Sequence, residues 1–162
     1  MQNAEQTVTG NSERFLTFYL GEEAYGVSIM AVKEIIALMK TTRIPKAPPY
    51  LKGVMNLRGI IIPVVDMRTR FEMPEVETTM HTAIIIIHIG NDNIGFIVDH
   101  VEEVCTATAD QMSEPPTFGT EIDAGYIEKM IRTDDEVIMI LDLEHIFSEE
   151  ELAELERTAK TA

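Results

Sequence analysis

At 162 residues the chain is long enough for one domain or two small ones, and its 45% hydrophobic content is that of an ordinary globular protein. A formal charge of −15 repels phosphate backbones and anionic headgroups, which speaks against nucleic acid as a partner. No apolar run reaches the ~18 residues that span a bilayer, so direct membrane insertion is not expected. Met1 to Glu13 lacks a signal-peptide pattern and the single cysteine, Cys105, allows no internal disulfide, which together point to a reducing cytoplasm.

Residues 1–13 read as a disordered polar tail. From Phe15 a strand leads to a short turn flanked by Gly21 and Gly26, and a second strand returns as in a hairpin. A helical turn is predicted at Met30 to Glu34, a strand at Ile35 to Met39, and a proline-bearing connection at Ile44 to Pro49. Two strands follow, Gly53 to Leu57 and Ile60 to Val65, joined by the turn Asn56-Leu57-Arg58-Gly59. The branched side chains of Ile60 to Val65 favour extended backbone, and Pro63, which has no amide to donate, predicts an edge strand or a bulge. Met73 to Thr82, acidic and polar, reads as a joint.

Beyond that joint the pattern repeats. Slid against itself by 69 residues, the chain lays Phe15–Gly21 over Ile84–Gly90, Gly26 over Gly95, Ile29 over Val98 and Glu34 over Glu103. After seven added residues the register resumes, with Tyr50 on Tyr126, Asp66 on Asp142 and Phe71 on Phe147. This is an internal duplication. Each copy has about five strands, tight turns and little helix, so two small barrels packed together are predicted, about 14–72 and about 80–148, with exchange of strands between them left open. A second helical turn is expected at Asp99 to Glu103, with Asp99 as its N-cap. Ala83 to Ile89 is almost wholly aliphatic, so both its faces should be covered. At the C-terminus, residues 149–162 form a helix and tail: Ser148 with Glu151 is a capping box, Phe147 with Leu152 its staple, and the helix is expected to lie on the barrels.

Chemistry is sparse. There is no phosphate loop and no dinucleotide fingerprint, and no cofactor or metal is expected. Asp99, His100, Asp142 and His145 can be imagined as the site of a small metal-assisted hydrolase, against the plainer reading of an N-cap and a strand-end carboxylate. Cys105 falls on a strand position and reads as a core thiol rather than a nucleophile. The copies differ most at one turn: the first has Asn56-Leu57-Arg58-Gly59 where the second has Arg132-Thr133-Asp134-Asp135. A fold requirement would act on both copies, so Arg58 reads as a docking residue beside apolar surface, against a solvated turn residue or an intramolecular bridge to Glu34, with Met30, Met39, Met55 and Met67 as adaptable neighbours or core fillers.

Several stretches resemble the CheW family of chemotaxis coupling proteins: Asn56-Leu-Arg-Gly-x-x-x-Pro-Val-Val-Asp-x-Arg68, Tyr25-Gly26-Val27, Val32-x-Glu34-Ile35, Lys52-Gly53-Val54, Gly95-x-x-Val98-Asp99 and Leu141-Asp142. The resemblance covers roughly residues 14–148. It implies a mainly β fold of two five-stranded SH3-like barrels, and a non-catalytic, cytoplasmic adaptor joining the tips of methyl-accepting chemoreceptors to the histidine kinase CheA. It places Ile29, Val32, Glu34, Ile35, Arg58 and Val98 at the receptor contact, and Phe118 at the kinase regulatory domain. Gly125-Tyr-Ile-Glu-Lys-Met130 departs from the family, which often has a second glycine there.

Overall fold

A computed structural model describes residues 12–115 and 126–161. The expected N-terminal tail, up to residue 11, and Phe118 lie outside the described residues. Among the described residues eleven strands form two sheets: β1 (Ser12–Leu20), β2 (Glu23–Ser28), β3 (Val32–Ala37), β4 (Leu51–Leu57), β5 (Ile60–Asp66), β6 (Ala83–Ile89), β7 (Asp92–Val98), β8 (His100–Thr108), β9 (Met112–Ser113), β10 (Ile127–Arg132) and β11 (Val137–Leu141). A one-turn helix α1 (Met67–Arg70) follows β5, and α2 (Glu149–Thr161) ends the described chain. Among the described residues no helix is long and apolar enough to cross a membrane.

Neither sheet is made from one copy. The six-stranded sheet runs β8-β1-β2-β11-β10-β9 and the five-stranded sheet β3-β6-β7-β5-β4, so the first hairpin of each copy lies in the sheet of the other. The duplication is visible in the ladders themselves. Leu16 stands opposite Val104 and Ile35 opposite Ile85; Gly26 stands opposite Ile140 and Gly95 opposite Val64. These are equivalent positions with the copies interchanged. The Asp66 amide donates to the Tyr50 carbonyl and that of Asp142 to Tyr126, both at 2.8 Å. Glycine leaves room at both crossings for an isoleucine that a side chain would displace: a Cβ on Gly26 would stand 2.8 Å from Ile140 Cδ1, and one on Gly95 2.9 Å from Ile84 Cγ2.

Exchange explains the aliphatic run of β6. Ile84 and Ile86 enter the small core inside the five-stranded sheet, with Met55, Ile62 and Val64. Ile85 and Ile87, on the other face, enter a larger core between the sheets with Phe18, Leu20, Phe96 and Phe147. A third core, around Phe15, Ile131 and Ile140, fills the six-stranded sheet. Burial on both faces is why alternation is lost, as the sequence suggests.

The structure corrects three expectations. The sheets are not closed barrels, because the end strands β8 and β9, and β3 and β4, do not pair. The chain itself spans each seam instead: β8 bends through Ala109–Gln111 into β9, and Thr42, beyond β3, makes one two-bond bridge to Val54 of β4. Second, the helical turns shrink or vanish. In the first copy a 3-10 turn covers only Ile29–Ala31, with the Ser28 hydroxyl accepting from the Met30 amide. In the second, Ile97 replaces Ser28 and cannot cap, so the strand runs on from His100. Third, β5 is not an edge strand. Its first half is nonetheless edge-like, since the parallel ladder to β7 covers only Val64–Asp66. Counting back from the hairpin, Pro63 falls in a non-hydrogen-bonded pair with Val54, so its ring nitrogen faces the side where β7 is not yet paired.

Helix α2 lies over β5 with Leu155 buried in the inter-sheet core. Its capping box is complete: the Ser148 amide donates to Glu151 Oε1 at 2.8 Å and the Glu151 amide to Ser148 Oγ at 3.1 Å.

Candidate protein-binding face

The β4–β5 hairpin closes on Arg58 and Gly59, whose φ values are +52° and +89°. Two positive φ angles are what a type I′ turn needs, and its twist matches that of the strands. Asn56 Oδ1 accepts from the Gly59 amide at 2.8 Å and holds the turn. Asparagine or glycine would sit in the Arg58 position at less cost. The arginine is 67% exposed and donates through Nη2 to Glu34 Oε1 at 2.5 Å. Glu34 belongs to β3 and Arg58 to the hairpin of β4, so the ion pair crosses the open seam of the five-stranded sheet. The second copy builds its turn differently, with Thr133 and Glu136 bonding backbone to backbone and through the Thr133 hydroxyl.

The residues named from sequence do not form one flat patch. Across the β3–β6 ladder Ile35 faces Ile85, on the inter-sheet side, whereas Glu34 faces Ile86, on the opposite side. They straddle the end strand β3. Ile35 is 45% exposed, while Ile29 and Val32 are half-buried against the inter-sheet core. Val98 is fully buried, so it can only underlie such a surface. Apolar exposure around the same elements comes from residues that the sequence left unassigned, Leu38 and Ile60, and from Met30, which is almost fully exposed. Met55 and Met67 are core fillers.

Away from the hairpin tip, two arginines tie the copies together. Arg68 Nε and Nη2 reach both carboxylate oxygens of Asp99, the closest contact being 2.6 Å, and the Gly21 amide donates to the same carboxylate at 2.7 Å. Burial alone would raise the Asp99 carboxyl, but the Arg68 guanidinium and the Gly21 amide hold it below the ordinary carboxylate value. Arg70 reaches Glu151 and the Ile146 carbonyl. Glu151 is likewise held low: burial opposes ionisation, and the Ser148 amide and Arg70 outweigh it. Sequence reasoning missed both roles. The signal lay in the duplication, where Glu144 and Ile146 occupy the positions of Arg68 and Arg70.

A pH dependence follows. Both carboxyls have folded values below their unfolded ones, so their stabilisation is complete above the ordinary values of 3.8 and 4.5 and is lost as pH falls through the folded values. These two groups should add no slope to the denaturant midpoint between about pH 7 and 5, and their contribution should fall away below about pH 4, where both gain protons. An unchanged midpoint at about pH 3 would contradict the pairing.

The four residues imagined as a metal-assisted site are not brought together. Asp99 is saturated by Arg68, His145 Nδ1 lies 2.8 Å from Asp142, and His100 stacks on His81. Among the described residues no three His, Cys, Asp or Glu side chains converge as metal ligands. Burial, with Glu103 and Glu136 nearby, pushes the Cys105 thiol up, which disfavours the thiolate a nucleophile needs.

The CheW-like domain model matches residues 14–151. Chemotaxis protein CheW of Klebsiella aerogenes is 34% identical over 149 residues, covering 92% of this chain and 90% of that protein. Chemotaxis protein CheW of Treponema pallidum is 35% identical over 153 residues, covering 90% and 89%. The crystal structure of the scaffolding protein TtCheW from Thermoanaerobacter tengcongensis superimposes with a TM-score of 0.78 at 36% identity, over 84% of this chain and 92% of that one. The shared architecture and these likenesses agree: the chain belongs to the CheW-like family, as a chemotaxis scaffolding protein.

Proposed function

We propose that the chain works in the cytoplasm and couples the tips of methyl-accepting chemoreceptors to the histidine kinase CheA. The observation that carries this reading is Arg58, a cation placed at a strained, exposed turn on one copy only. An exposed ion pair contributes only about 0–1 kcal/mol, so Glu34 can surrender Arg58 to a partner carboxylate at little cost. Ile35, with Ile29 and Val32 beside it and Val98 beneath, supplies apolar surface for a helical receptor tip. Phe118 is the proposed kinase contact. Receptor and kinase would then occupy different faces, and receptor conformation would bias the kinase through the shared adaptor.

Titration of the full chain with a kinase regulatory domain, with and without a receptor hairpin fragment, tests it. Both ligands should bind, and each should leave the other's site open. If neither binds, or the two compete for one site, the reading is wrong.

A further inference from the structure

Charge is distributed unevenly in this acidic chain. Between Glu34 and Asp66 lie five cations (Lys40, Arg43, Lys46, Lys52 and Arg58) and no carboxylate, while the rest of the molecule sets eight cations against 28 carboxylates. Arg58 is paired with Glu34; the other four are exposed and form no ion pair with any described residue. By contrast Arg68, Arg70 and Lys129 are each matched to a carboxylate.

Three of the unpaired cations converge. Arg43, Lys46 and Lys52 line a hollow of about 370 Å³ on the connection between β3 and β4, together with Ile44, Pro48 and Leu51. The connection is held rigidly. Thr42 is bridged to Val54 by two backbone bonds, and it approaches Gly53 so closely that a Cβ there would stand 2.3 Å from the Thr42 carbonyl oxygen. Three prolines, Pro45, Pro48 and Pro49, stiffen the rim. Lys46 has φ +63°, a conformation in which a lysine is costly and a glycine is not. A strained, unpaired lysine on a rigid rim beside two more cations is an outlier that the fold alone does not require.

We propose that this hollow is a docking site for a short acidic peptide segment of a partner protein. The three cations would meet two or three carboxylates, and Ile44 and Leu51 would take an apolar side chain between them. Rigid walls reduce the ordering cost of binding. The net charge of −15 disfavours nucleic acids and anionic membranes, whose charge extends well past the hollow and meets the acidic remainder of the surface. The proposal does not depend on the receptor and kinase reading, since none of its residues belongs to the Arg58 face.

The test is fluorescence anisotropy of the full chain with a labelled peptide of about ten residues, rich in glutamate with a central leucine. Binding should weaken by about tenfold or more as salt rises from about 0.05 to about 0.5 M. The variant Arg43→Gln/Lys46→Gln/Lys52→Gln should lose about tenfold or more in affinity, and Arg132→Gln, an exposed cation of the other sheet, should lose none. Lys46→Gly keeps the test valid if the triple variant folds poorly, because it relaxes the backbone while removing one cation; it should bind several-fold more weakly. Absence of binding at low salt overturns the proposal. So does binding that the substitutions leave unchanged, or equal affinity for a single-stranded oligonucleotide of the same charge.

Discussion

Arg70→Ala should lower stability by about 3 kcal/mol, a fall of about 6–12 °C in melting temperature for a domain of this size. The side chain is 9% exposed. Its Nε and Nη2 donate to the Ile146 carbonyl, Nη1 and Nη2 to the Glu151 carboxylate, and its guanidinium carbon lies 4.9–5.0 Å from the ring centres of Tyr50, Tyr126 and Phe147. Which loss dominates can be decided. Glu151 is 30% exposed and keeps the Ser148 amide, so water can absorb much of its orphaned charge. The Ile146 carbonyl has no such relief, and an unsatisfied buried acceptor costs about 1–3 kcal/mol. The ring contacts add about 0.5–1 kcal/mol each where partly desolvated. Glu151→Gln should therefore cost only about 1 kcal/mol, because glutamine at that position still closes the capping box. Thermal melts of both variants check the ordering. Equal costs would show that the carboxylate, not the carbonyl and rings, is what Arg70 serves.

Arg58 separates stability from binding. Arg58→Asn should leave the fold intact and raise stability by about 0.5–1 kcal/mol, since asparagine suits the left-handed first position of a type I′ turn. The same substitution should weaken association with a receptor hairpin fragment by about tenfold or more, as loss of a central charged anchor does. Arg58→Glu should bind more weakly still, by adding repulsion beside Glu34. Calorimetric titration together with a thermal melt reads both quantities on one sample. A variant that is more stable and binds normally would remove Arg58 from the interface.

The duplication, the paired glycines, the capping box and the Arg58 turn could all be read along the chain, because each depends on neighbours a few residues apart or on repetition at a fixed offset. The shortened helical turn of the first copy and its absence from the second were partly legible too, in the Ser28 and Ile97 difference, but required knowing that Asp99 is claimed by Arg68. Which copy's strands share a sheet was beyond local reading, since either hairpin of aliphatic residues satisfies the same pattern. Only the packing settled it.

The sequence by itself determined the repeat, the strands and the candidate docking residues, through spacing, side-chain branching and turn chemistry. Tertiary structure alone decided that Val32 and Glu34, two residues apart, face opposite sides of β3, that Val98 is buried, and that Arg68 and Arg70 fasten one copy to the other. The reason is physical: a bulge between Val32 and Glu34 shifts the alternation, and contacts across tens of residues depend on how two sheets meet.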